Sequence, residues 1–520
     1  GANTAIFSFV NAVLLRPLPY NNSERLVFIF ETEPQLPKAP VTGPDYLYWQ
    51  EANNVFETMA AGTDGSANLT GTGNPQRVNA IPVSAGLFQT LKVSPLIGRP
   101  FSEDDDQPGR DNVAILMNGL WQTRFGADQG VIGKRVQLNE RSYEVIGVMP
   151  PQFVFPPIWG QKPDLFVPLA LRKDETTRGS HWLWVMGRLK PGVKIEQAQA
   201  EMEGVSARLA KEYPSTNSNI GVRVISMQEH LVGDTKTALH IMLGAVAFAL
   251  LIACANVANL SLSRMVSRRR EMALRAALGA SGFRLLRQSL AECILLSLVG
   301  GLAGLFLAAW TVEVLKSSAP AAYLPVTGKV ELNLSVLLFT FGVSVLTGVL
   351  TGIAPALQAA RVNLNNALKE ASGRSTGGAR GRSFRNTLVM MEIALGVILL
   401  TGAGLMIRSL QKLLEVNPGF APRNLLSMKV DLPDTSYPDT PQVEAFFKNL
   451  VDHTRSLPGV EYAAVASQLP LGGGPNGSIQ IEGHPVTPGL SGPLVQPTII
   501  TPDYFSAMRI PLISGRVFNR

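Results

Sequence analysis

The sequence predicts an α-helical transmembrane bundle carrying extracytoplasmic α+β domains. Three observations lead there: four long runs are almost free of charge, basic residues concentrate in two of the short connections between them, and two further segments show mixed strand and helix patterning. Charged residues make up 16% of the 520, against ~25% in a soluble domain, and mean hydropathy is +0.15. This composition excludes a disordered tail, a collagen-like fibre and a disulfide-stapled secreted domain. Cys254 and Cys293 both fall within apolar runs and read as packing residues rather than a disulfide.

Crossing a hydrocarbon core of ~30 Å takes ~20 apolar residues in a helix. Ile241–Ser263, Cys293–Val312 and Leu332–Ala360 contain no charge, and Asn386–Ile407 is interrupted only by Glu392. Membrane helices are therefore expected over 238–263, 289–312, 332–357 and 386–408. Residues 1–15 are apolar but short, with no basic flank and no cleavage site, and read as the outer part of a span that begins upstream.

Orientation follows from Lys and Arg in the short connections. Segment 262–288 has seven arginines against one Glu, and 358–386 has six basic residues against one Glu. Their excess is larger than the whole chain's net +7, so the remainder is net negative. The connection 313–331 is balanced, with Glu313 and Glu331 against Lys316 and Lys329. The coupling segment 264–288 and the linker 358–385 are therefore expected in the cytoplasm. Segments 16–237 and 409–520 are expected outside, in a bacterial inner membrane. The basic pI of about 9.4 reflects this topology and excludes nucleic acid as the partner; the lipid bilayer is the expected environment.

Within 16–237, strands are read at Leu26–Glu31, Gln76–Val83, Asn112–Met117, Leu183–Leu189 and Gly221–Met227. Helices are read at Pro44–Ala60, through Leu120–Phe125 and at Ile195–Tyr213, where Ala198, Met202, Val205 and Leu209 share a face. Arg135–Leu138 and Tyr143–Val148 read as a hairpin. Strands and helices at both ends with hairpins between predict an α+β domain with a β-rich insertion. The end of the chain repeats the beginning: 83–101 aligns with 500–518 at an offset of 417, pairing Phe88/Phe505, Gly98/Gly515, Arg99/Arg516 and Phe101/Phe518. A second copy is thus expected to begin near Asn386, with 409–520 an incomplete outer domain. The intact chain is expected to have eight spans as a pseudo-dimeric monomer.

Catalytic chemistry is not legible. The string GADQGVIGKR at 126–135 has Asp128 where a phosphate loop needs its first Gly, and Arg135 where Ser or Thr would ligate magnesium. His181, His230, His240, His453 and His484 are scattered singly, and the acidic run Glu103–Asp106 lacks the spacing of a calcium loop and reads as solvated. No cofactor, metal site or catalytic residue is expected, and the chain is not read as an enzyme. Two acidic residues within spans stand out, Glu292 and Glu392. They read as a proton or ion relay, or as carboxylates relieved by Arg284 and Arg287 for the first and Arg385 for the second. Gly300/Gly304 and Gly348/Gly352 have the spacing for close helix contact.

The segment RRREMALRAALGAS at 268–281 reads as a basic helix at the inner membrane face, stopped at Gly279, with Ser281 capping the next helix. It closely resembles the hallmark of FtsX-like and MacB-like ABC transporter permeases. GANTAIFSFVNAVLLRPLPY at 1–20, WQTRFGADQGVIGKRVQLNERSYEVIGVMPPQF at 121–153 and LPGVEYAAVASQLPLGGG at 457–474 resemble the MacB-type periplasmic core. The closest resemblance is to the duplicated permeases of that superfamily. It implies type VII machinery, in which a cytoplasmic ATPase drives outer-domain motion by mechanotransmission, for export, lipoprotein handling or envelope remodelling. It also implies that Arg268, Arg269, Arg270, Glu271, Leu278 and Gly279 lie at the ATPase contact. No ATPase domain is fused within this sequence, unlike MacB itself: either it lies beyond the given ends or it is a separate subunit, and the ATPase is expected in trans. The alternatives are a membrane-anchored sensor or scaffold, which has no need of a structured basic elbow, and an ion-coupled carrier, for which only Asn256 and Asn259 offer intramembrane polar groups.

Overall fold

Proline sets the first boundary. The computed structural model describes residues 1–71, 73–156, 158, 162–171, 178–267, 282–318, 333–360, 379–433, 435–472, 474, 477–483 and 493–518. Helix α1 (Ala2–Val10) widens into a π-helical turn over Asn11–Leu15 and stops at Arg16, held extended by the following Pro17. The chain forms two compact units, Gly1–Arg16 with Val232–Val416, and Pro17–Leu231 with Asn417–Arg520.

The second unit is built on one mixed sheet. Its strands in chain order are β1 (Leu26–Glu33), β2 (Leu36–Ala39), β3 (Val41–Thr42), β4 (Phe56–Gly62), β5 (Ala67–Thr70), β6 (Gln76–Val78), β7 (Ala80–Val83), β8 (Ile97–Gly98), β9 (Val113–Leu116), β10 (Arg135–Leu138), β11 (Arg141–Val148), β12 (Leu165–Pro168), β13 (His181–Leu189) and β14 (Gly221–Ser226). The main path runs β14-β1-β13-β4-β7-β12-β9-β11-β10-β5-β6. β1 lies antiparallel between β13 and β14, and Leu26–Ile29 are fully buried, so the strand reads as a continuous apolar run. The helices between are α2 (Gly43–Ala52), α3 (Leu87–Leu91), α4 (Asn118–Phe125), α5 (Ile195–Glu212) and α6 (Pro214–Asn217).

Two cores share this sheet. One joins Val27, Ile29 and Val185 to Tyr46 and Trp49 of α2 and to Met202 and Leu209 of α5. The other joins Leu69, Val78, Val136, Leu138 and Val145 to Leu120 and Trp121 of α4. The β-rich insertion is thus a second core on the same sheet.

Three local readings change. The helix expected over 44–60 ends at Ala52, because Asn53 turns the chain into β4: its Nδ2 donates to Trp49 O (2.8 Å) and its Oδ1 accepts from Phe56 N (3.1 Å). The strand expected over 76–83 is two strands, parted at Asn79, whose N–H donates to Asp164 Oδ2 (2.8 Å). Half of the acidic run is structural. Asp105 is 8% exposed and accepts from Arg99 Nη2 at 3.0 Å and Ser102 N at 2.7 Å. Burial works against its charge, but those bonds prevail and hold its carboxyl at about 2. Asp106 accepts from the backbone of Ala85 (2.9 Å) and Ala170 (2.7 Å), while Glu103 and Asp104 are exposed.

Beyond residue 417 the unit contains α11 (Thr440–Arg455), α12 (Tyr504–Ala507) and the paired β15 (Gly477–Ser478) and β16 (Leu494–Val495). Here the sequence repeat is also a repeat of backbone. Lys92 and Arg509 are left-handed at φ 54° and 52°, and Gly98 and Gly515 have φ of 81° and 90°. Val93 N donates to Phe88 O (3.0 Å) as Ile510 N donates to Phe505 O (2.8 Å). Ser84 Oγ accepts from Ala61 N (3.0 Å) as Thr501 Oγ1 accepts from Val465 N (2.9 Å). The ion pair Lys92–Glu57 at 3.2 Å has its counterpart in Arg509–Glu461 at 3.6 Å.

In the other unit the long helices are α7 (Met227–Ser267), α8 (Gly282–Ser318), α9 (Leu334–Ala360) and α10 (Ala379–Glu415). Among the described residues, four stretches are long and apolar enough to span a membrane: Thr235–Ser261, Leu290–Val314, Leu334–Ile353 and Arg385–Glu415.

Candidate functional site

Small residues set the packing of the membrane helices. α8 and α9 touch through glycine: a Cβ on Gly348 would lie 2.7 Å from Ile294 Cα, and one on Gly352 3.0 Å from Leu290 Cδ2. With no hydrophobic drive between helices in lipid, this close approach is what holds such a pair. On α8 the expectation needs correction. Gly300 has nothing within 4 Å of an added Cβ, whereas one on Gly301 would lie 2.2 Å from Ser344 Oγ. Gly304 instead admits the start of the chain, an added Cβ there falling 2.6 Å from Gly1 N. α1 docks on this pair through Phe7 stacked on Phe339 at 3.8 Å and Thr340 Oγ1 donating to Thr4 Oγ1 at 3.2 Å. Asn3 Nδ2 donates to Val246 O of α7 at 3.1 Å, which ties in a fourth helix.

Arg268, Arg269, Arg270, Glu271, Leu278 and Gly279, expected from the sequence to meet an ATPase, lie outside the described residues, as does most of the segment 358–385. Glu292 and Glu392 lie on separate helices, α8 and α10. Glu292 Oε1 accepts from Gln288 Nε2, one turn earlier on the same helix face, at 3.3 Å. The phosphate-loop look-alike is closed on itself: Lys134 Nζ lies 2.6 Å from Asp128 Oδ2, and the same carboxylate accepts from Gly130 N at 2.8 Å. Among the described residues no cluster of three or more His, Cys, Asp or Glu is placed to hold a metal.

Sequence reasoning missed a buried polar group in the outer unit. Glu31, fully buried in β1, accepts from Thr42 N at 3.1 Å through Oε1, and its Oε2 lies 2.5 Å from His181 Nδ1 on β13. Glu33 Oε1 is 3.8 Å from His181 Nε2. Burial pushes the Glu31 carboxyl up to about 7, against the bond from His181. Burial opposes charge on His181 too, but the Glu31 bond and both glutamates outweigh it and raise its pKa. Nearby, Asp45 at 2% exposure accepts from Arg178 and from Asn217 Nδ2 (2.5 Å), and Arg178 lies 3.6 Å over the Tyr213 ring. The first set fastens β1 to β3 and β13, and the second fastens α2 to α6. Their only sequence signal is a carboxylate closing the apolar run Leu26–Phe30.

Comparison with known proteins gives two domain matches, a MacB-like periplasmic core domain over residues 1–205 and an FtsX-like permease C-terminal domain over 243–364. The pyoverdine export ATP-binding/permease protein PvdT of Pseudomonas syringae pv. tomato is 28% identical over 270 residues, which is 51% of this chain and 39% of that protein. The macrolide export ATP-binding/permease protein MacB of Azoarcus sp. is 30% identical over 305 residues, or 57% of this chain and 43% of that protein. The chain thus spans about two fifths of the length of these relatives. It carries a MacB-like periplasmic core domain and an FtsX-like permease C-terminal domain, as a multi-pass inner-membrane protein with extracytoplasmic domains. Among solved structures, the periplasmic region of MacB from Actinobacillus actinomycetemcomitans covers 44% of this chain and 97% of its own, at 15% identity and a TM-score of 0.32.

Proposed function

We propose that this chain is the permease of an ABC exporter whose ATPase is a separate cytoplasmic subunit, and that ATP hydrolysis moves the outer domains by mechanotransmission. The observation that carries the reading is that the FtsX-like match over 243–364 encloses the basic segment 264–288. In this reading 264–288 is the coupling loop, and Arg268, Arg269, Arg270, Glu271, Leu278 and Gly279 meet the ATPase. Residues 358–385 are a second cytoplasmic segment, and 16–237 and 409–520 are the moving outer parts. Two structural features support it. α7 carries the chain as one helix from the end of β14 through the span Thr235–Ser261. α8, which leads out of the coupling loop, is locked to α9 by backbone-close glycine contacts, so a displacement of one displaces the other rather than being absorbed.

The relatives' names refer to export of pyoverdine and of macrolides; for this chain, export of a small molecule is part of the proposal. The test is purification of the tagged permease from native membranes with identification of what accompanies it. An ATP-binding subunit recovered in stoichiometric amount is expected. Recovery of the chain with no ATP-binding subunit, under conditions that retain other ABC complexes, would favour a scaffold instead.

A further inference from the structure

The free end of the sheet in the first outer domain, where β5 and β6 lie, is covered by residues that come from much later in the chain. Asp431 pairs with Arg77 of β6 and accepts from Ser66 Oγ at 2.9 Å, just before β5. Arg77 Nη2 also donates to Ser66 Oγ at 2.8 Å, so the three side chains close a ring. A few residues on, Thr435 Oγ1 donates to Asn139 O (3.2 Å) and to Glu140 Oε2 (3.1 Å), and Ser436 Oγ donates to the same carboxylate oxygen. Asn139 and Glu140 are the two turn residues between β10 and β11.

That turn has an unusual occupant. Both residues are left-handed, with φ of 47° and 67°. A two-residue hairpin of this kind strongly prefers glycine at its second position, because a Cβ there is strained. Strain of this sort persists where the side chain has a use, and the Glu140 carboxylate is the group that receives both hydroxyls. Two independent features of one edge, the charged ring and the strained acceptor, therefore point to the same segment, 431–436.

We propose that this strip is a reversible clasp, an interaction surface on the edge of the first outer domain whose partner is the second outer segment of the same chain. Its chemistry favours opening. The contacts named are all polar, made by Asp431, Thr435 and Ser436, and the Arg77 and Asp431 side chains remain 31% and 30% exposed. Exposed ion pairs are weak and screened by salt, and polar contacts between domains of one chain permit relative motion. The clasp does not depend on the nature of the ATPase.

The test uses the full chain in lipid nanodiscs, with Cys254→Ala and Cys293→Ala, and nitroxides on Ser142→Cys and Asp439→Cys beside the contact. A single short distance is expected at moderate salt. Raising ionic strength to ~1 M, where the Debye length falls to ~3 Å, should bring up a second, longer population. Arg77→Asp should make the longer population dominant, and the exchange Arg77→Asp with Asp431→Arg should restore the short one. Glu140→Gly guards against misfolding: it should lengthen the distance yet leave the unfolding temperature of the outer domain unchanged or raised, since glycine takes this φ without strain. Distances unaltered by Arg77→Asp and Glu140→Gly, or a charge exchange that fails to restore the short distance, would overturn the clasp.

Discussion

Glu31 and His181 form a proton-binding pair in the core of the outer domain, and its effect on stability has a definite sign. A carboxyl whose folded value is about 7, above an unfolded value of ~4.3, binds its proton more tightly when folded. Its stabilising contribution is complete below the unfolded value and is lost as pH rises through about 7. His181 is raised as well, so its contribution is present below ~6.5 and is lost as pH rises through its folded value. Both act in the same direction, and the outer domain should lose stability as pH rises from ~4.3 through about 7, by on the order of 1–3 kcal/mol. Glu31→Gln should flatten that slope. Denaturant unfolding followed by tryptophan emission reads it, since Trp49 lies in the sheet-and-helix core and Trp182 packs against it. An unchanged slope in the variant would remove the pair from the account. None of this was legible in the sequence: the partners are 150 positions apart, and a carboxylate ending an apolar strand looks like its solvated end. The same holds for Arg188, fully buried in β13, which donates from Nε to Thr90 O at 2.7 Å.

For the helices, spacing told part of the story and geometry the rest. GxxxG spacing picked out Gly348 and Gly352, both of which touch α8. It also picked out Gly300, where an added Cβ meets nothing within 4 Å among the described residues, and passed over Gly301, which meets Ser344. Spacing specifies a face, and in the run Gly300-Gly301 the phase of the helix decides which glycine faces its neighbour. Gly348→Ala should therefore lower unfolding stability in detergent by ~1–3 kcal/mol, because the new methyl meets backbone that cannot move aside. Gly300→Ala should stay within ~0.5 kcal/mol. Equal effects at the two positions would contradict the packing. In the outer domain, the apolar face of α5 was fully readable from Ala198, Met202, Val205 and Leu209, all buried. The end of α2 was not, since it is fixed by the side chain of Asn53, which composition and periodicity do not weigh.

At the scale of the molecule, charge asymmetry and hydrophobic length fixed the membrane class, and the internal repeat proved to be repeated geometry down to an ion pair. The extracytoplasmic placement of the outer unit predicts that a cysteine at Asp104, which is exposed, reacts with an impermeant reagent in spheroplasts. One at Arg270 should react only after the membrane is opened. Labelling of position 270 from outside would reverse the topology and with it the coupling assignment. The central claim, that a cytoplasmic ATPase works through the basic loop, is tested most directly by Arg269→Glu together with Arg270→Glu, assayed for stimulation of the ATPase subunit by the reconstituted permease. Charge reversal in a docking patch replaces complementary contacts with repulsion, costing several kcal/mol. Stimulation should fall at least ~100-fold toward the rate of the isolated ATPase, with outer-domain unfolding and the labelling pattern unchanged. Full stimulation by the reversed loop would contradict the account and leave residues 264–288 with no role beyond orienting the chain in the membrane.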